Sequence, residues 1–207
     1  MGTVEKELID FFESFDINSI PKEERLKQYV DLSTIKQPLN KKMKYNKRYV
    51  DSNRELSHIL FWKPNERNGI YSQWYKAPMV EDGVRYNCCE QYMMAQKALL
   101  FNDHKTYDMI MRDGNPANMK KYGRMVRNFN DAVWNEKKFD IVKRGNYLKF
   151  SQNLELKEML LDTDDDILVE ASPYDGVWGI KSTDSRYWNG ENLLGFAIME
   201  VRDLLRN

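Results

Sequence analysis

Val4, Leu8, Phe11, Phe12 and Phe15 recur at the three- and four-residue intervals that line one face of a helix, and Pro21 followed by Lys22, Glu23 and Glu24 opens a second helix predicted to run to about Leu32. Residues 33 to 55 are polar, basic and aperiodic, which predicts a linker. A short apolar strand follows over His58 to Trp62, then a loop through Pro64, Asn68 and Gly69. Met79 to Tyr86 carries Asp82-Gly83 at its centre, the pair that a tight hairpin turn favours because glycine accepts a positive φ without strain. Helices are predicted near 104 to 113, 116 to 126, 132 to 150 and 154 to 161, a strand over Ile167 to Glu170, and a closing amphipathic helix over Asn192 to Leu205. The pattern predicts an α+β class, mostly α, with a few short strands. It also divides the chain into an N-terminal helical hairpin with a basic linker (1 to 56) and a main domain (57 to 207).

The helix that begins near Asn87 differs from the others. Glu90 and Lys97 lie two turns apart and project at nearly the same angle, yet Met93, Met94, Ala98, Leu99, Leu100 and Phe101 leave little polar surface around them. A carboxylate and an amine in such company read as a site, or else as a partly buried pair that steadies the helix. The aperiodic stretch Ser172 to Gly190 concentrates Asp175, Trp178, Asp184, Arg186, Tyr187 and Trp188 on a loop, where binding residues tend to gather. Asp175 and Trp178 also fit a turn acid and a core aromatic.

Composition narrows the setting more than the activity. Lysine and arginine number 32, as do aspartate and glutamate, so overall charge gives no case for a polyanionic partner. Locally, a basic stretch runs from Lys36 to Arg54, and a second from Lys120 to Lys149 includes Arg124, which reads as a solvated helix face or a phosphate contact. The basic arm reads as a linker, with a grip on a nucleic-acid backbone as its alternative. Cys88 and Cys89 are adjacent and have no third thiol to pair with, which favours a reducing, cytoplasmic setting. No apolar run reaches membrane-spanning length, and two histidines without a cysteine cluster predict no structural zinc.

Ser72-Gln73-Trp74-Tyr75, Asp82-Gly83, Glu90-x-Tyr92-x-x-Ala95-Gln96-Lys97, Gly123-Arg124, Trp134, Lys149-Phe150-x-x-Asn153, Leu168-Val169-Glu170, Asp175-x-x-Trp178-Gly179 and Gly190-x-Asn192-x-Leu194-Gly195 occur in that order. Together they resemble the NADAR family, also called YbiA-like, over about residues 57 to 207. The resemblance implies a compact, mostly helical fold and cleavage of N-glycosidic bonds to ribose, without a cofactor or metal. It implies a small ribose phosphate or ADP-ribose-type ligand, as in riboflavin-pathway ribosylaminopyrimidine phosphates or ADP-ribosylated guanine, with ADP-ribosylated nucleic acid as a further partner. It also implies Glu90, Asp175 and Lys97 as catalytic residues, and Trp178, Arg124, Trp74, Tyr75, Gly179 and Asn192 as substrate-binding ones.

Breaking a bond from an anomeric carbon to nitrogen builds positive charge on the sugar and requires a protonated leaving group. Two carboxylates from separate segments, Glu90 and Asp175, suit that demand if one stays ionised and the other holds a proton. Trp178 would stack on a planar base. Lys97 offers a second route through a Schiff base, which requires a neutral amine. A non-catalytic module that binds NAD or ADP-ribose is the rival reading.

Overall fold

The computed structural model describes residues 43–206, and the two helices expected before residue 33 lie outside them. Asn46 accepts a hydrogen bond from the Tyr49 amide and starts a short helix, α1 (Lys47–Ser52), inside the stretch whose aperiodicity predicts a linker. The asparagine cap and the Lys47–Asp51 pair one turn apart support that helix locally. Tyr45 and Val50 are buried, and the Tyr45 hydroxyl and Lys44 ammonium both donate to Asp203 near the C-terminus. The end of the basic arm is therefore packed chain, because polar residues too few to show a period still hold two anchors.

Strands β1 (His58–Phe61) and β4 (Ile167–Glu170) pair in parallel, with Phe61 opposite Glu170. Ile167, Leu168 and Val169 are fully buried, as a continuous apolar run covered on both faces must be. Between them in sequence, β2 (Met79–Glu81) and β3 (Val84–Tyr86) form the expected hairpin, in which Asp82 and Gly83 take φ values of 49° and 78°. Five helices then complete the crossover: α2 (Cys89–Leu100), α3 (His104–Arg112), α4 (Pro116–Gly123), α5 (Asp131–Gln152) and α6 (Leu154–Leu161). Side chains fix their starts, with Asp103 accepting from Thr106, Asn115 from Ala117 ahead of Pro116, and Asn130 from Val133.

α2 is the centre of the domain. Every residue from Cys89 to Gln96 is buried, and the helix packs against α3, α4 and α5. The helix is buried nearly all round, and its buried Gln91 is satisfied by donating to the Ile110 carbonyl. The closing helix α7 (Leu193–Arg206) lays Phe196, Ala197, Ile198, Met199 and Val201 over β4 and α5. Each large apolar side chain so buried contributes roughly 1.5–3 kcal/mol. The α+β, mostly helical class read from the sequence is the one observed, and the packing brings the start of α2 and the end of β4 to one opening.

Candidate active site

One face of α2, carrying Glu90, Met93, Met94 and Lys97, lines a cleft of about 820 Å³. These four positions follow the helical repeat, so the spacing that singled out Glu90 and Lys97 does place both in one cavity. Lys120 and Arg124 enter from the end of α4, Phe129 from the turn before α5, and Trp134 and Lys138 from the first turns of α5. Trp62 and Lys63 follow β1, Gln73 and Trp74 come from the loop before the hairpin, and Glu170, Asp175 and Trp178 come from β4 and the loop beyond it. Glu90 and Asp175 thus line one cleft.

Glu90 is only 3 % exposed, and its Oε1 has no hydrogen-bond partner. Burial pushes its carboxyl up to about 7. Lys120, a hydrogen bond from Trp74 and Arg124 pull the other way, and Asp175 adds to the rise. Glu170, read from the sequence as a strand end and as part of the Leu168-Val169-Glu170 motif but not as a site residue, is the second acid of the cleft. The residue is partly exposed, but its Oε2 is buried and unpartnered, and burial together with the charge of Asp175 pushes it up to about 8. Its signals were the end of an apolar strand and a place in the Leu168-Val169-Glu170 motif, and neither separates a cleft acid from an ordinary strand end.

Asp175 is a turn acid that also lines the cleft. Its Oδ1 accepts hydrogen bonds from the amides of Val177 and Trp178, which fixes the turn, while Oδ2 lies 4.0 Å from the Lys120 ammonium. Three residues expected to bind substrate stand behind the lining instead. Asn192 is fully buried and latches β4, accepting from the Glu170 amide and donating to the Leu168 carbonyl. Gly179 passes so near β4 that a Cβ there would lie 2.7 Å from the Glu170 carbonyl oxygen. Tyr75 sits outside the cleft, its ring 5.4 Å from the Lys149 ammonium. All three shape the walls around Glu170 and Trp74, and motif spacing cannot tell a wall from its support.

Lys97 makes no ion pair with Glu90 among the described residues. Its ammonium lies over the Phe129 ring at 4.2 Å and near that of Trp134 at 5.3 Å. Burial and then Arg124 lower its pKa, against Asp131. The Asp103 carboxylate accepts from the Arg127 guanidinium and amide, and so ties α3 to the segment that presents Arg124 and Phe129. That pairing holds the Asp103 carboxyl well below the usual carboxylate range. Across the cleft, Trp62 packs against Tyr174 at 6.0 Å, and Lys63 lies 4.2 Å over the Trp62 ring. The cleft therefore joins two buried acids to aromatic surfaces and cationic groups, an arrangement suited to a planar, phosphate-bearing ligand.

Elsewhere, burial raises the thiol pKa of both cysteines, Cys89 to about 12, which overrides any help from the start of α2. No cluster of three or more metal-ligating side chains occurs among the described residues, and no helix there is long and apolar enough to cross a membrane.

Fold and cleft together define a mostly helical α+β domain whose cleft holds the buried Glu90 and the partly exposed Glu170. The chain belongs to the NADAR family, whose domain matches residues 60–206. It is 44% identical over 161 residues to the N-glycosidase R617 of Acanthamoeba polyphaga mimivirus, covering 70% of this chain and 95% of that protein. It is 31% identical over 147 residues to the N-glycosidase YbiA of Escherichia coli, covering 71% of this chain and 88% of that protein. The NMR structure of E. coli YbiA superposes with a TM-score of 0.62 over 72% of this chain and 85% of YbiA, at 29% identity. A riboflavin biosynthesis protein of Vibrio vulnificus is 29% identical over 157 residues, which are 76% of this chain and 41% of that longer protein.

Proposed function

We propose that this protein is an N-glycosidase that hydrolyses the bond between a ribose anomeric carbon and a base nitrogen in a phosphate-bearing substrate. The observation that carries the reading is the pair Glu90 and Glu170, two buried carboxyls with raised pKa values facing one cleft. Relatives named as N-glycosidases, at 44% and 31% identity, support it.

At neutral pH Glu170 holds a proton and Glu90 is near its midpoint, so the site keeps an acid and a base side by side. The protonated carboxyl delivers its proton to the leaving nitrogen as the C–N bond breaks. The ionised carboxylate and Asp175 balance the positive charge that develops on the sugar. A water then adds to the anomeric carbon, gives its proton to the carboxylate, and leaves ribose with a new hydroxyl. Trp178 and Trp74 flank the planar base, and Lys120 and Arg124 face the phosphate. Lys97 favours a second route, because burial weakens its hold on a proton. Its amine would displace the base from C1 of the opened sugar, forming a Schiff base that water hydrolyses.

Two substrates fit the cleft chemistry, ADP-ribosylated guanine and a ribosylaminopyrimidine phosphate of the riboflavin pathway, and the name of the Vibrio relative favours the second. Incubation with each, followed by detection of ADP-ribose or ribose 5-phosphate, is the test. Turnover is expected for the native protein and a drop of at least about a thousandfold for Glu90→Gln. Full activity in E90Q would refute the assignment of Glu90. Affinity with unchanged ligand after long incubation would favour the non-catalytic binding module.

A further inference from the structure

Lys149 is wholly buried on α5, behind the cleft and outside its lining. Its ammonium donates to the carbonyls of Ile70 and Ser72 and lies 5.0 Å from the Phe150 ring and 5.4 Å from that of Tyr75. No ion pair satisfies it among the described residues, and its polar surroundings are those two carbonyls and the thiols of Cys88 and Cys89. A buried ammonium without a counter-ion is costly, and an apolar side chain of similar length would fill the same space at less expense.

What the ammonium grips explains the arrangement. Ile70 and Ser72 bracket the turn that leads into Gln73 and Trp74, and both of those residues reach Glu90. The Gln73 carbonyl accepts from the Glu90 amide at 3.0 Å, and Trp74 hydrogen-bonds the Glu90 carboxylate. One turn earlier on α5, Asn146 donates to the Gln73 side chain at 3.0 Å. One helix thus clamps the loop at residues 70, 72 and 73, and the loop in turn holds Glu90 through main chain and side chain.

We propose that Lys149 is a positioning residue for Glu90, gripping the Ile70 and Ser72 carbonyls from behind so that Gln73 and Trp74 are held against that carboxylate. It never touches the substrate. The inference rests on the N-glycosidase reading for its kinetic consequence, but the geometry can be read without turnover.

Lys149→Met is expected to lower kcat on the order of 10- to 100-fold, with KM rising by a smaller factor because the Trp74 ring against the base is loosened as well. The Trp74 bond favours the ionised form of Glu90, so its loss moves the Glu90 titration to higher pH. Carbon-13 NMR of labelled glutamate should show that upward move in K149M, the same direction and size in Trp74→Phe, and no further move in the double variant. Lys149→Arg, which keeps a donor for the carbonyls, should restore much of the native titration. An unmoved Glu90 in K149M, or additive shifts in the double variant, would overturn the proposal. So would failure of both K149M and Lys149→Gln to fold, since Lys149 would then be a folding element only. A native protein that turns over neither substrate would sink the N-glycosidase reading instead, and the NMR cycle would still decide the role of Lys149.

Discussion

Glu170 makes the sharpest stability prediction. Its carboxyl rises from 4.5 to about 8 in the folded chain, so the ionised form costs the native state roughly 5 kcal/mol relative to the unfolded one. The sign follows from proton counting. Between pH 4.5 and 8 the folded state binds more protons at this site than the unfolded state, so stability falls as pH rises and levels off above the folded pKa. Glu170→Gln removes the charge but leaves a partly buried amide, whose own desolvation offsets about 1–3 kcal/mol of the gain. The variant should therefore be more stable than the native protein by about 2–4 kcal/mol at pH 9, and between equally stable and about 2 kcal/mol less stable at pH 5, because the amide offset persists where the carboxyl is protonated in both states. For a chain of this length that difference is roughly 4–16 °C in Tm. Thermal melts of both proteins at pH 5 and pH 9 measure it, and activity assays should show the gain coming at the expense of turnover. A difference that is the same at both pH values, or a less stable E170Q at pH 9, would refute the placement of Glu170 in a dry, acid-rich pocket.

Two further outcomes follow from neighbouring contacts. Asn192→Ala removes both the acceptor for the Glu170 amide and the donor to the Leu168 carbonyl, deep in the core, and should cost about 2–4 kcal/mol in chemical denaturation while slowing turnover by loosening Glu170; a loss under about 0.5 kcal/mol would show the latch to be idle. Borohydride added during turnover should leave a ribose-derived adduct on Lys97, detectable by mass spectrometry, if the amine route operates; an unmodified Lys97 in an active enzyme assigns the chemistry to the carboxylates alone.

The parts of the fold legible in the sequence were those set by local rules. Asp82-Gly83 fixed a turn, Pro116 marked a helix start, and the two-turn spacing of Glu90 and Lys97 set both on the face of α2 that opens on the cleft. What stayed hidden depends on contacts distant in the chain. α1 holds its place through Tyr45 and Asp203, 158 residues apart. Glu170 acquires its character only because β4 pairs with β1 and the 172–178 loop folds Asp175 back toward it. Tyr75, Gly179 and Asn192 share motifs with cleft residues, but a strand or loop alternates sides, so a neighbour in sequence stands behind the wall as often as in it.

That alternation bears on how the site stays poised. Two carboxyls near each other at raised pKa repel when both ionise, and nothing in a soft pocket would stop them from drifting toward solvent, where each would return to an ordinary acid. Here each is restrained by backbone anchors: the Glu90 amide by the Gln73 carbonyl, the Glu170 amide by Asn192. Both anchors lead back to buried polar groups, Lys149 and Asn146 for the first and the Leu168 carbonyl for the second. On the proposed N-glycosidase reading, the polar residues buried behind the cleft are therefore a condition of its chemistry, because they restrain the two acids whose raised pKa values that reading needs.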